Sequence, residues 1–366
     1  MKHLTHTFFA LLAFFCTSLS FAQLPDNFFD QVIIGGLNEA IGVEFDTSGR
    51  MYIWEKGGVV RIFEDDSLLP TPLIDISEEV GNFGDHGLLG FAVHPDFYEN
   101  GFFYLYYTVD RHYLMNYGTA TYSATTNDYF KATICRLTRY TADAETNFTT
   151  AVPGSRAILI GTTKKNGVPV LHDSHAGSPL IFGSDKTLLV ITGDGASYNE
   201  ADNGSESDTY YIDGLADSII RNKENIGSFR SQLLDCLNGK ILRIDPVTGD
   251  GISSNPYYNA SSPGSIQSKV WALGLRNPFR AELKPGTGST NPEDADPGTI
   301  YIGDVGWNNW EELNICDGPA QNFGWPVYEG MELQVGYDVS SADNRDAPNP
   351  LFNGSTCNDK FFDFKH

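Results

Sequence analysis

The stretch from residue 88 to residue 107 reads LLGFAVHPDFYENGFFYLYY. A short apolar run is followed by a turn at His94, Pro95 and Asp96, and then by a second run rich in aromatic residues. Apolar and aromatic runs separated by turn residues are typical of paired β-strands. The stretch therefore predicts an antiparallel strand pair.

The same order recurs along the chain. Residues 42–54 and 180–191 each hold two apolar strands around a turn, Lys240–Ile244 adds a later strand, and Thr299–Ile302 marks a fourth unit with a less clear partner. Strand pairs at irregular spacing favour an all-β propeller, whose blades are alike while its loops differ. A β-sandwich remains the alternative. We expect no long helix, because the best candidate, residues 217–237, is interrupted by a glycine.

The N-terminal residues have the order of a secretory signal. Lys2 is followed by an apolar stretch over residues 8–15 and a small-residue exit at Ala22. This stretch is shorter than the roughly 20 residues that a spanning helix needs. We expect residues 1–22 to be a signal peptide, no membrane span in the mature chain, and a secreted or periplasmic location.

The rest of the chain, residues 23–366, is expected to form one β-propeller domain. The final segment, residues 361–366, resembles the start of another strand. The propeller is therefore expected to lack its C-terminal blade material.

Charge and cysteines narrow the possible partners. The net charge of -23 argues against nucleic acid, since little would neutralise phosphates, and suits bound cations. One or two disulfides, in any of three full pairings, are possible in an oxidising compartment. The four cysteines beyond the signal are Cys135, Cys236, Cys316 and Cys357.

The densest polar group is His172–Ser178, directly before a strand pair that ends near Asp194. A hairpin of this length returns Asp194 towards His175, so a carboxylate could orient the imidazole as a general base. A surface histidine beside a turn is the alternative. A zinc site is disfavoured, because His172 and His175 would point to opposite faces of an extended strand.

Three further segments could bind a ligand. Arg276 and Asn277 could hold a planar, anionic or quinonoid ligand, or Arg276 could simply pair with a carboxylate. Residues 302–312 carry glycines at a strand exit, where carbonyls could approach a cation, although a tight turn is the simpler interpretation. The acidic insertion 197–213 could be a mobile or cation-associated loop, although a plain solvated loop is the simpler interpretation.

Together these motifs resemble the soluble pyrroloquinoline quinone (PQQ)-dependent glucose and sorbosone dehydrogenase family, which is related to a domain of hedgehog-interacting protein. They occur in family order over most of the chain. The carrying stretches are 87–97, 175–180, 193–195, 239–245, 274–278, 303–312 and 322–326.

The resemblance implies a six-bladed propeller and a set of roles. His175 would be the base that takes the proton of a sugar's anomeric hydroxyl as hydride passes to PQQ, and Asp194 would orient it. Arg276 and Asn277 would contact the quinone oxygens. The backbone carbonyls of Gly306 and Trp307 would hold the cofactor's calcium. The catalytic candidates are thus His175, Asp194 and Arg276.

Two departures from the family pattern affect cofactor binding. Asp85 stands where well-known members have a glutamine near the sugar and the cofactor. The family's later lysine and arginines, which bind the cofactor carboxylates, would lie beyond His366.

The expected function is an exported dehydrogenase that oxidises an aldose and passes electrons to an external acceptor. The alternative is a propeller binding module of the hedgehog-interacting protein type, without turnover. A calcium-dependent lactone hydrolase is disfavoured, because we find no central cluster of carboxylates and amides for it.

Overall fold

The computed structural model describes residues 28–338 and 341–365. Of these, residues 37–338 and 341–365 belong to one compact unit. In this part of the chain, most of the longer strands are buried on one or both faces. The predicted signal peptide, residues 1–22, lies outside the described residues.

The first two sheets hold five strands each. The strands of the first sheet are β1 (Ala40–Phe45), β2 (Met51–Glu55), β3 (Val59–Glu64), β4 (Ser67–Leu68) and β5 (Ile74–Asp75). Those of the second are β6 (Leu88–Val93), β7 (Phe102–Thr108), β8 (Thr133–Thr141), β9 (Ala157–Ile160) and β10 (Val168–Val170).

The third sheet has four strands and the fourth has three, all antiparallel. The third contains β11 (Gly177–Phe182), β12 (Leu188–Thr192), β13 (Lys240–Ile244) and β14 (Val270–Leu273). The fourth contains β15 (Pro278–Leu283), β16 (Ile300–Asp304) and β17 (Glu312–Cys316). Two ladders follow: β18 (Tyr328–Glu329) with β19 (Glu332–Leu333), and β20 (Asp343–Pro348) with β21 (Phe361–Asp363).

Helices are short throughout the described ranges. The α-helices are α1 (Phe97–Asn100), α2 (Arg111–Asn116), α3 (Tyr211–Ala216), α4 (Ile266–Lys269) and α5 (Val335–Asp338). Single 3-10 turns occur at Ala144–Thr146, Asn222–Glu224, Gly227–Ser231 and Pro292–Asp294. None of the helices in the described residues could cross a bilayer.

The alternation of side chains between the two faces of each strand explains how the sheets pack. In β7, Phe103, Leu105 and Tyr107 face the core shared with the first sheet, while Tyr104 and Tyr106 face the core shared with the third. Because successive side chains of a strand point to opposite faces, a strand that is apolar at every position is buried between two neighbours. Each of the first three pairs of consecutive sheets therefore shares a core, as the blades of a propeller do.

The first strands of the four sheets lie side by side: β1 contacts β6, β6 contacts β11, and β11 contacts β15. This arrangement confirms the prediction of an all-β, propeller-like fold. The predicted strand pairs at residues 42–54, 88–107 and 180–191 are also confirmed.

The expected blade number is wrong for the described residues, which form four blade-like sheets rather than six. After β17 the strands pair only two by two. β18 and β19 have two residues each, and β20 (DNRDAP) has no alternating apolar face. Such strands cannot bury a face against a neighbouring blade.

The four cysteines of the described residues are free thiols. Cys135, Cys236 and Cys316 lie in three different cores. The disulfides that the sequence allowed are therefore not formed in this structure.

Candidate active site

The predicted site residues lie at one end of the blades. Asp85 precedes β6, His175 precedes β11, and Arg276 and Asn277 precede β15. Asp194 follows β12, the antiparallel neighbour of β11, and so returns to the same end. The loops at this end bring together residues that are far apart in sequence.

His175 and Asp194 form a buried pair. The imidazole Nδ1 lies 2.9 Å from Oδ1 of Asp194, and the two residues are 3% and 0% exposed. Because a carboxylate only accepts, Nδ1 carries the proton and donates it. Nε2 is then the unprotonated nitrogen, and it has no hydrogen-bond partner among the described residues.

The backbone at His175 is locally strained. Residues 172–174 form a bend rather than the extended strand assumed from sequence, and His175 has a φ of +57°. This left-handed conformation is uncommon for a residue with a side chain. A Cβ at Gly193 would collide with the carbonyl of His175, so glycine is required where the end of β12 passes this bend.

The electrostatics keep the pair as neutral imidazole and charged carboxylate. Burial lowers the pKa of His175 below its usual 6.5, Asp194 opposes this, and the Arg276 cation adds to it. Burial would raise the pKa of Asp194, but His175 and Arg276 hold it below 3.8. A neutral imidazole whose Nε2 carries no proton can act as a general base.

Arg276 is 5% exposed and borders the pair. Its carbonyl accepts from the amide of Asp194 at 2.8 Å, and its Nη1 donates to the carbonyl of Val305 at 2.8 Å. Its Nε has no hydrogen-bond partner among the described residues, and neither has the carboxamide of Asn277. Such donors suit the oxygens of an anionic or quinone ligand.

Sequence reasoning missed the role of Asp304, which it treated as part of a turn. This buried carboxyl accepts from the backbone amides of Arg276 at 2.9 Å and Asn277 at 2.7 Å. Burial raises its pKa to about 7, against the effect of these two hydrogen bonds. Asp304 thus fixes the backbone of Arg276 and Asn277, the two residues that are candidates for binding a ligand.

Glu329 was also missed. Its carboxylate accepts from the amides of Trp307, Asn308 (3.1 Å) and Asn309 (3.2 Å), and from Nε2 of Gln334 at 2.7 Å. No described N–H donates to the carbonyl of Gly306 or Trp307. The loop that was predicted to bind calcium is therefore held through its amides, and these two carbonyls have no hydrogen-bond donor among the described residues.

Two further features bear on metal binding: side-chain clusters and the acidic insertion 197–213. No cluster of three or more acidic, histidine or cysteine side chains suited to a metal occurs among the described residues. In the acidic insertion, Asp202 is 2% exposed and accepts from the amides of Ser197 and Gly204. The interpretation of that insertion as a plainly solvated loop is wrong at Asp202, since its carboxylate organises the loop from inside.

Comparison with known proteins identifies the family. The family model described as "Glucose / Sorbosone dehydrogenase" matches residues 37–356. The chain belongs to this family.

Its relatives include both sugar dehydrogenases and hedgehog-interacting proteins. The chain is 27% identical to the HIPL2 protein of Arabidopsis thaliana over 322 residues, which are 79% of this chain and 40% of that protein. It is 27% identical to human hedgehog-interacting protein over 267 residues, which are 69% of this chain and 31% of that protein. It is 25% identical to quinoprotein glucose dehydrogenase B of Acinetobacter calcoaceticus over 372 residues, which cover 96% of this chain and 67% of that protein.

Among solved structures, the PQQ-bound aldose sugar dehydrogenase of Streptomyces coelicolor superposes with a TM-score of 0.55 at 22% identity, covering 84% of this chain and 68% of that one. This similarity supports the propeller-like fold of the family member described here.

Proposed function

We propose that this family member is a quinoprotein dehydrogenase that oxidises an aldose at its anomeric hydroxyl. The observation that carries the proposal is the buried His175–Asp194 pair, in which Nε2 is the nitrogen without a proton and the Arg276 cation acts electrostatically on the imidazole. Family membership and the PQQ-bound structural neighbour support the same chemistry.

His175 would accept the hydroxyl proton on Nε2 while the hydride of the anomeric carbon leaves, so the sugar is converted to its lactone. PQQ, when bound, would supply the two-electron acceptor for that hydride. Asp194 would hold the imidazole in the Nδ1-protonated form and stabilise the imidazolium that results. Proton acceptance starts from the neutral imidazole, which burial favours.

Arg276 and Asn277 would bind the cofactor oxygens. The unpaired Nε of Arg276 and the free carboxamide of Asn277 provide N–H donors, and the guanidinium adds a positive charge where negative charge develops. Asp85, whose charge acts on His175, would lie on the sugar side of the site.

Calcium would bind to the carbonyl oxygens of Gly306 and Trp307. Glu329 accepts from the amides of Trp307 and Asn308 in the same loop, and this would restrict the loop's backbone before calcium binds. Carbonyl oxygens are common calcium ligands, and the acidic chain suits a cation.

The proposed location is outside the cytoplasm, secreted or periplasmic, with residues 1–22 removed. An external electron acceptor is the proposed partner there. N-terminal sequencing of the exported protein should find Gln23 first, and a retained Met1 would argue against the signal peptide.

The test is to add PQQ and calcium to the full chain and follow dye reduction with a panel of aldoses. Reduction should require sugar, PQQ and calcium together. No reduction with any sugar, together with no change in the cofactor's absorption spectrum, would remove the dehydrogenase proposal. That result would favour the second candidate, a non-catalytic binding module, which the similarity to human hedgehog-interacting protein supports.

A further inference from the structure

Trp325 connects the two charged parts of the candidate site. It is 3% exposed, and its indole Nε1 donates to Oδ2 of Asp194 at 2.7 Å. The guanidinium carbon of Arg276 lies 5.3 Å from the centre of its ring. One side chain therefore contacts the carboxylate that orients His175 and the cation beside it.

The indole fixes the second oxygen of Asp194. Oδ1 accepts from His175 and, at 2.9 Å, from the amide of Ala196. With Oδ2 bound to Trp325, each carboxylate oxygen has a defined donor, and the carboxylate cannot rotate without losing one of these bonds. The orientation of the imidazole thus depends on an indole 131 residues further along the chain than Asp194.

Trp325 is itself held firmly. Its amide donates to the carbonyl of Gly274 at 3.1 Å, and its carbonyl accepts from Oγ of Ser231 at 2.9 Å. Tyr337 packs edge-on against the ring with a centroid distance of 5.2 Å. These contacts come from three different segments, so the indole is a rigid support for the pair.

We propose that Trp325 is a positioning residue that sets the orientation and basicity of His175 through Asp194 and supports the Arg276 guanidinium with its ring. Its catalytic consequence rests on the proposed function, whereas its effect on His175 does not. A donor to the carboxylate draws off part of the negative charge that would otherwise stabilise the imidazolium. Removing the donor should therefore raise the pKa of His175.

Other charges face the pair and stay in place in the test. Asp85 and Arg276 act on His175, and Asp202 and Tyr337 interact electrostatically with Asp194. Arg230 donates to the backbone carbonyl of Asp194 at 3.1 Å. A change in the pKa of His175 when only Trp325 is substituted is therefore due to the loss of the indole.

The first experiment is an NMR titration of the His175 imidazole in the full, cofactor-free chain. Trp325→Phe keeps a ring beside Arg276 but removes the N–H, and should raise the pKa by about half a unit or more. The matched control is Trp271→Phe, a tryptophan 1% exposed with the Arg243 guanidinium 5.1 Å from its ring in another core. An unchanged His175 pKa in Trp325→Phe overturns the inference.

A second measurement needs no substitution. In the wild-type chain the indole N–H resonance of Trp325 should move with pH at the same midpoint as His175, because both groups bind one carboxylate. If the chemical shift of the indole N–H does not change as His175 titrates, the inference is also overturned.

Turnover separates this inference from the proposed function. In cofactor-loaded protein, Trp325→Phe should lower kcat and move the acid limb of the pH profile to higher pH, whereas Trp271→Phe should not. If the wild type has no turnover but the His175 pKa still shifts, the proposed function fails and the positioning role stands. If Trp325→Phe turns over with an unshifted acid limb, the proposed function stands and the positioning role fails.

Discussion

At the scale of single residues, the proposed chemistry depends on the imidazole of His175 being neutral at neutral pH. Burial lowers the pKa of its imidazole, and the hydrogen bond to Asp194 leaves Nε2 as the free nitrogen. The left-handed backbone at His175 stores strain that the surrounding contacts offset, as is common at functional sites.

Substitution of the base should separate binding from chemistry. His175→Ala should lower turnover by about 10²-fold or more, because no other group replaces the proton acceptor. Cofactor binding should remain, since Arg276 and Asn277 are unchanged. Spectroscopic cofactor titration and dye reduction measure the two quantities, and His112→Gln in α2 is the control. Unchanged turnover in His175→Ala would remove the residue from its proposed role.

Another buried histidine should govern acid stability. His86 is fully buried, its Nε2 donates to the carbonyl of His172 at 2.9 Å, and burial lowers its pKa from 6.5 to about 4. Between these values the unfolded chain binds a proton that the folded chain does not, so stability falls as pH decreases through this window.

Denaturant unfolding at several pH values checks this prediction. The loss of stability contributed by His86 should begin below pH 6.5 and level off below about pH 4. His86→Gln should lessen the slope in that range. An identical slope in the wild type and the variant would show that other groups control the acid response.

At the scale of elements, the strands were the most predictable part. The alternating and continuous apolar runs identified β2, β6, β7, β12 and β13 from the sequence, because those runs are buried in cores on one or both faces. β1 was also identified, although its Val43 and Phe45 are exposed. The return of Asp194 to His175 also followed from hairpin geometry. Asp304, Glu329 and Trp325 could not be given roles, because their partners lie in other loops.

The β18–β19 hairpin gives the test of the proposed calcium loop. Glu329→Gln replaces a charged acceptor of three backbone amides and should cost about 1–3 kcal/mol of unfolding free energy. It should also raise the calcium concentration needed for half-maximal turnover. Glu332→Gln, exposed on the same hairpin, is the control. Equal calcium requirements in the two variants would argue against a role for Glu329.

At the scale of the whole molecule, each hydrophobic core between blades is formed by two consecutive sheets. Leu105 belongs to the core between the first and second sheets, and Leu189 to the core between the third and fourth. The sequence indicated this propeller-like plan but overestimated the number of blades, because the resemblance extends past β17 while the alternating apolar pattern does not.

Shared cores predict cooperative unfolding. Leu105→Ala and Leu189→Ala should each cost about 2–5 kcal/mol, because both side chains are fully buried. Each variant should lower a single common transition, measured by fluorescence and circular dichroism. Separate transitions for the two halves of the blade array would contradict this expectation.

The most direct test of the account is rapid mixing of the PQQ- and calcium-loaded protein with an aldose in the absence of any electron acceptor. We predict that the wild type reduces its bound cofactor, seen in the absorption spectrum, and that His175→Ala binds the cofactor equally well but leaves it oxidised. A cofactor that stays oxidised in the wild type with every aldose, or is reduced equally fast in His175→Ala, would contradict the account.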